Sequence, residues 1–529
     1  MATDFKKTFV HWLPWLIIAL GLILRVDQYL LNRSLWLDEA FIAVNFLDQS
    51  LIQLLQPPLD YSHYMNISLG FLAMGKLSVT LFGNSDLILR LFPFVCGVAS
   101  LWLFYQMAKA YVSPKAVPLA LLFFAISDSL IYYASEMKQY SSDVTIAILL
   151  FLLVAYVLKQ SLTISKILLL ALVGTLAVWF SHSSAFILAA IGGYLIVCYG
   201  FERQWKSMFT IAIISLMWLC SFLAMYLMTT GGGINEATPI TEYHLQVWNS
   251  WDAFMPSPFS MTGLKWIYHN YFEMFDYPGS LGLTSVAGVV FIIGCIAMLG
   301  HQKQSLLLLT LPIVITVLVS FFYRYPFQGR MILFLLPSLY LILAEGLIQI
   351  QLRLLAYPKT AIVTIATQVI LVAALIINLN PYQHTDQEIK PILSYLQTHQ
   401  QAKDRVYLYH WAEPAFRYYA ADYQFNYDDC DLITPIPKNE YTKEIDYFRG
   451  KRGLKPADVS ETQCILGVSE SFHQSQPDLE KLRHHGRVWV IFSHVVESEK
   501  MLFLKYLDSV GERLEEFHQP GSFVYLYQL

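Results

Sequence analysis

Apolar runs long enough to cross a bilayer, separated by short polar turns, fill the first three quarters of the chain. A bilayer core about 30 Å thick takes roughly 20 mainly apolar residues per helix. About eleven such cores are predicted. They are Trp12 to Leu24, Ile88 to Ala108, Val117 to Tyr132, Val144 to Val157, Ile167 to Phe180, Ala185 to Tyr199, Met208 to Met228, Leu281 to Leu299, Ser305 to Phe322, Met331 to Ile350 and Ala361 to Leu379. If the helices alternate, Lys6/Lys7, Lys109/Lys115, Lys159/Lys166, Arg203/Lys206, Lys303 and Arg353/Lys359 fall on one face. The positive-inside rule makes that face cytoplasmic. The amino terminus is then inside and the C-terminal region outside. The first apolar run lacks a small-residue cleavage site, so no cleavable signal peptide is expected.

After the last core the pattern changes. Strand-like runs (Arg405 to His410, Gln463 to Val468, Arg487 to Ser493, Ser522 to Tyr527) alternate with helical ones (Ile389 to Gln397, Met501 to Ser509), which predicts a small α/β domain. Of 529 residues, 56% are hydrophobic and only 14% charged, where soluble domains carry about 25% charge. The charge is uneven, since 38 of the 74 charged residues fall in the last 144. The expected fold is a polytopic α-helical membrane body, residues 1–380, followed by an extracytoplasmic α/β domain, residues 381–529. The expected location is the plasma (inner) membrane. A formal net charge of -4 offers no basic surface to a phosphate backbone, so nucleic acid is excluded as a partner.

Outside the membrane lie a segment at about 32–87, the turn Ser135 to Asp143, a loop at about 229–280 and the C-terminal domain. The first contains two amphipathic stretches, Phe41 to Leu55 and Tyr64 to Leu81, split by Gln56-Pro57-Pro58 and expected to lie along the interface. The loop opens with Gly231-Gly232-Gly233 and carries Trp248, Trp251, Phe254, Trp266, Tyr268, Tyr271, Phe272 and Phe275. Those rings suit interfacial anchoring or a mobile lid over a lipid or acceptor entrance. Cys96, Cys198, Cys220 and Cys295 fall in apolar helices. Cys430 and Cys464 share the outer, oxidising side and are expected to form a disulfide.

Three clusters could carry chemistry. In SLWLDEA, Ser34 to Ala40, the adjacent carboxylates Asp38 and Glu39 diverge, which ill suits the paired-carboxylate work of a glycosidase. One carboxylate suffices to take a proton from an attacking hydroxyl while a phosphate departs. The alternative is a solvated loop or a helix N-cap by Asp38. In YYASEMKQYSSD, Tyr132 to Asp143, the residues Glu136, Lys138, Tyr140 and Asp143 stand at an outer turn, either as functional charges or as the polarity any turn needs. In FYRYPFQGRMILFLLP, Phe322 to Pro337, Arg324 and Arg330 lie on the side the positive-inside rule disfavours, where their guanidinium forks suit an anionic head group or an anchoring role. His182 lies at the same level, as a structural residue or a ligand contact.

Taken together, these clusters resemble the GT-C superfamily of membrane glycosyltransferases, in the branch of protein O-mannosyltransferases, aminoarabinose transferases and their bacterial relatives. The Asp-Glu pair comes first in the chain. It is followed by QPPLDYSHYMNISLGFLAMGKLSVTLFGNSDLILRLFP from Gln56 to Pro93, then SLIYYASEMKQYS from Ser129 to Ser141, then GRMILFLLPSLYLILAEG from Gly329 to Gly346. The resemblance covers about the first 350 residues and implies transfer of a sugar from a polyprenyl-phosphate donor to a glycan, lipid or protein acceptor on the outer face. It implies Asp38 as catalytic carboxylate and Glu39 as its neighbour in acceptor or cation binding. Glu136, Lys138 and Tyr140 would line the donor cavity and Arg330 would contact the lipid phosphate, with Arg90, His182 and Arg324 as further substrate-binding candidates. Gln56 stands where aminoarabinose transferases carry a phosphate-binding Lys, which shifts that role toward Arg330, Arg324 or Lys138. A divalent metal ion is a possible cofactor, with Asp38, Glu39, Glu136 and His182 as candidate ligands, although no short-range spacing demands one. The rival reading is a transporter or flippase of a polyprenyl-linked glycan, which should place its charges near the bilayer midplane. The charges cluster at the outer face, with Glu345 the clearest exception near the inner one.

Overall fold

The computed structural model describes residues 2–55, 67–159, 161–229, 252–355, 387–434 and 457–529. Among the described residues, eight helices are long and apolar enough to span a membrane: Trp12–Leu30, Leu91–Tyr111, Tyr140–Leu158, Ser184–Phe201, Trp205–Thr229, Thr284–His301, Lys303–Phe321 and Gly329–Arg353. Each matches an apolar run in the sequence, as it must where no water is present to satisfy backbone polar groups outside a helix. The chain is therefore an integral membrane protein. Ile164–Phe180 is a shorter apolar helix. The expected core Val117 to Tyr132 is not one rod, because Val117–Ala125 and Asp128–Ser135 meet at a 58° bend. Apolar content registers hydrophobicity but not the polar Ser127-Asp128 step at which the helix restarts. The expected core Ala361 to Leu379, the Gln56-Pro57-Pro58 break and the loop residues Gly231 to Trp251 lie outside the described residues.

Contacts divide the chain into two units. The membrane unit holds the described residues of 2–31, 67–229 and 252–355. At its centre is Gly329–Arg353, 94% of whose most apolar window is buried, so its sequence is apolar on all sides rather than along one stripe. Two glycines admit its neighbour: a Cβ on Gly294 would stand 2.1 Å from the Ile342 carbonyl oxygen, and one on Gly346 would stand 2.2 Å from that of Val290. Without a hydrophobic driving force in lipid, such close packing of backbones is what holds helices together. The 229–280 loop contributes a described helix, Met261–Asp276, which buries Trp266, Asn270, Met274 and Phe275 and exposes Met261, Leu264, Ile267 and Tyr268.

The second unit holds the described residues of 32–55, 387–434 and 457–529. Its sheet runs β2-β3-β1-β4-β6-β5, with β1 Arg405–Leu408, β2 Cys430–Asp431, β3 Cys464–Leu466, β4 Arg487–Ser493, β5 Glu512–Gln519 and β6 Ser522–Gln528. The first four strands are parallel, and β5–β6 is an antiparallel hairpin on one flank. Cys430 and Cys464 pair across β2 and β3 with Cα atoms 4.3 Å apart and form a disulfide. Residues 32–55 go with this unit, so a division at residue 380 does not describe the contacts. The helix Leu37–Asp48 was expected to lie along the membrane interface from Phe41 onward. Instead it buries Leu37, Glu39, Ala40, Ile42, Ala43, Val44, Asn45 and Phe46 and packs on Glu413–Tyr419. A helix hidden on most sides cannot lie flat on lipid. Leu69–Phe82, in the membrane unit, is one-sided, with Phe71 and Leu72 buried and Leu77, Leu81 and Phe82 exposed.

Candidate functional site

In the membrane unit the site is built at the start of the span Tyr140–Leu158. The chain leaves the short turn Tyr133–Ser135, tightens at Glu136 to Lys138, where the Lys138 N–H reaches the Glu136 carbonyl (2.7 Å), and enters the helix. The Gln139 side chain accepts the Ser68 N–H (2.9 Å), while the Ser68 hydroxyl donates to the Phe180 carbonyl (2.9 Å). The turn is thereby tied to two other helices. Glu136 and Lys138 are both buried, which is costly for charges unless neighbours compensate. The Arg330 guanidinium stands over the Tyr140 ring at 5.5 Å, within the range of a cation–π contact. Tyr133 packs edge-on against Tyr140 at 5.1 Å and shares a hydrogen bond with the Tyr277 hydroxyl. Tyr133 and Tyr277 each feel both Arg330 and Glu136. These residues therefore form one cluster of two opposite charges set among phenol rings.

Burial raises the Tyr277 phenol above its usual range, with Arg330 acting against it. Burial likewise raises Tyr325, helped by the Asp143 carboxylate. Both phenols are neutral donors near pH 7. Tyr325 donates to the Met331 carbonyl (2.7 Å) and packs on Phe186, which fixes the turn entering Gly329–Arg353. Asp143 is buried, and its Oδ1 has no hydrogen-bond partner.

The remaining candidates separate. Arg324 is exposed in the loop before Arg330, so it is Arg330 that the fold carries to the turn. Arg90 is buried where the short Asp86–Leu89 helix gives way to Leu91–Tyr111, and its charge acts on Tyr29. His182 follows Ile164–Phe180. Burial pushes its imidazole down to about 4, and its Nε2 is buried without a hydrogen-bond partner. At neutral pH it is an uncharged ring and cannot supply a cation to a phosphate.

In the second unit, Asp38 and Glu39 lie in the first turn of Leu37–Asp48. The N-cap is Trp36, so Asp38 neither caps the helix nor lies in a loop. Glu39 is fully buried, 3.9 Å from Arg33, whereas Asp38 is half-buried. The positive end of the helix favours negative charge at both. The approach to this turn is pinned by the Leu37 N–H donating to Gln387 (2.8 Å), the Leu35 N–H to the Tyr419 hydroxyl (2.9 Å), and the Ser34 hydroxyl to Glu388 (2.8 Å). The adjacent carboxylates thus have different environments.

Among the described residues no three His, Cys, Asp or Glu side chains gather as metal ligands would. The possible divalent metal therefore has no ligand cluster among the described residues. Sequence reasoning missed Tyr133, Tyr277 and Tyr325. Tyr133 was within the YYASEMKQYSSD motif, but Tyr277 had no signal to separate it from the other rings of its loop.

No family model and no curated protein matches the chain. Solved structures do match in fold, two of them as follows. ArnT from Cupriavidus metallidurans, bound to undecaprenyl phosphate, aligns with a TM-score of 0.55 at 10% identity over 97% of this chain and 97% of that one. The oligosaccharyltransferase of Archaeoglobus fulgidus, tethered with an acceptor peptide containing the NVT sequon, aligns with a TM-score of 0.50 at 11% identity, covering 98% and 74%. At these identities the likeness is one of fold, and the architecture of this chain is the one those two structures share.

Proposed function

We propose that the protein is a membrane glycosyltransferase that moves a sugar from a polyprenyl-phosphate carrier to an acceptor hydroxyl on the outer face of the membrane, with its N-terminus cytoplasmic. The observation that carries the reading is the Arg330, Tyr140 and Glu136 cluster at the outer turn, in a fold it shares with ArnT bound to undecaprenyl phosphate. In this mechanism the acceptor oxygen attacks the anomeric carbon from the side opposite the phosphate. A new C–O bond forms and the bond from the anomeric carbon to the phosphate oxygen breaks. The polyprenyl phosphate leaves with that electron pair, and the acceptor proton passes to Asp38. Inversion follows from the single displacement. A phosphate needs no acid to leave, so positive charge from Arg330 and Lys138 is the stabilisation required. Glu39, held by Arg33, serves Asp38 as scaffold.

The charge that most favoured the flippase alternative, Glu345, is engaged within the fold. Glu345 accepts the Ser113 N–H (3.0 Å) and a hydrogen bond from Gln349 (3.4 Å), which is the work of holding a turn. Mass spectrometry of envelope glycans and polyprenyl-linked sugars, in cells with and without the protein, tests the proposal. A missing sugar together with an accumulated precursor is expected. Unchanged glycans with polyprenyl-linked sugar redistributed across the membrane would favour the flippase.

A further inference from the structure

The break in the bent pair Val117–Ala125 and Asp128–Ser135 sits in the interior of a membrane unit, where helix ends are expensive. A helix leaves its last carbonyls without intrahelical donors, and in lipid no water takes their place. In Val117–Ala125 the Leu122 carbonyl is satisfied by the Ile126 N–H (3.1 Å). The last two, those of Phe124 and Ala125, are taken by a side chain distant in sequence. Arg25, fully buried in the first span, donates Nη1 to the Ala125 carbonyl (3.0 Å) and Nη2 to the Phe124 carbonyl (3.3 Å). A third bond, from Nη1 to the Gly21 carbonyl (3.0 Å), fastens the fork to its own helix.

The approach depends on Gly21, where a Cβ would lie 2.8 Å from Leu101 and 3.2 Å from the Ala125 backbone. The other side of the break is also held. The Tyr340 hydroxyl lies 2.8 Å from that of Ser127 and 2.9 Å from the Gly279 carbonyl, and the Ser129 N–H donates to Ser280 (3.2 Å). A cation at a helix C-terminus also complements the helix dipole, so guanidinium suits this end better than a neutral donor.

We infer that Arg25 is a positioning residue: it caps the first half of the broken span, and so sets where the second half delivers Tyr133, Glu136, Lys138 and Tyr140. Asp128–Ser135 runs directly into that turn, so a shift at residue 126 is carried into the cluster around Arg330. The consequence for the donor site rests on the proposed function, while the capping itself does not.

Two measurements separate the claims. Hydrogen exchange on purified Arg25→Met, which keeps the apolar stem and removes every donor, is expected to rise about tenfold in residues 126–139 while residues 91–111 and 140–158 stay protected. Arg25→Lys restores one charged donor and should give a smaller rise at the same place. Affinity for undecaprenyl phosphate should fall in Arg25→Met and recover in part in Arg25→Lys. Unchanged exchange in 126–139, or an equal rise throughout the spans, overturns the inference. If Arg25→Met cannot be purified, Arg25→Lys decides by the same criterion. Local exchange without loss of lipid affinity would keep the cap and count against the donor site at this turn.

Discussion

The Glu136 to Lys138 turn of the membrane unit and the first turn of Leu37–Asp48 in the second unit place charges in contrasting ways. At the first of these turns, Glu136 and Lys138 are buried and Arg330 lies over a tyrosine ring, so charge is set among low-polarity neighbours where each interaction is strong. At the helix start, one carboxylate is locked against Arg33 and the other is left half-buried. The first arrangement suits holding an anion that must be gripped and then released. The second suits a group that has to meet a proton. The variants below break that contrast from either side.

The largest effect is expected at Asp38. Asn has nearly the same shape but cannot accept the acceptor proton, so Asp38→Asn should slow transfer about 10²- to 10⁴-fold with expression preserved. Single-turnover transfer with purified donor and acceptor reads this directly, and near-normal turnover removes Asp38 as base. Arg330→Ala should weaken donor binding about 10- to 100-fold, the worth of a charge-assisted hydrogen bond to phosphate. Arg330→Lys keeps charge without the fork and should fall between. An unchanged Michaelis constant for the polyprenyl donor in both variants would return Arg330 to an anchoring role.

Reduction of the Cys430–Cys464 bond should cost the second unit about 2–4 kcal/mol, seen as a lower thermal midpoint under reductant. Non-reducing mass mapping that finds both thiols free would contradict the bond itself. The smallest effect concerns His182. Its folded value of about 4 lies below the ordinary imidazole value of 6.5, so the unfolded chain binds the extra proton first as pH falls. Stability from this residue is therefore complete above pH 6.5 and declines as the pH is lowered toward 4. Thermal midpoints at pH 7.5 and 5 should differ less in His182→Gln than in the parent. Equal differences would mean that His182 is not buried in its neutral form.

Much of this was legible in the chain because one signal, apolar run length, reports directly on the bilayer. Ser184–Phe201 and Gly329–Arg353 follow from it within a few residues. The same signal overran the break at Ile126, since a helix interrupted inside a protein remains apolar on both sides. In the second unit β5 was missed because its sequence, ERLEEFHQ, shows no apolar alternation; it is an edge strand held through β6. At the Glu136 to Lys138 turn the acidic and basic residues could be read from the motif. The rings that surround them could not, because Tyr277 reaches Tyr133 from a residue 144 positions away. The helix Leu37–Asp48 misled for a related reason, as an amphipathic pattern shows that a face must be covered but not whether lipid or Glu413–Tyr419 covers it.

In the proposed mechanism the Glu136 to Lys138 turn and Arg330 grip the carrier phosphate while Asp38 acts only on the acceptor proton. Equilibrium binding of undecaprenyl phosphate to the purified parent, Arg330→Ala and Asp38→Asn proteins tests it most directly. Asp38→Asn is expected to bind the lipid as the parent does and Arg330→Ala to bind it at least about tenfold more weakly. Loss of binding in Asp38→Asn, with Arg330→Ala unaffected, would contradict it.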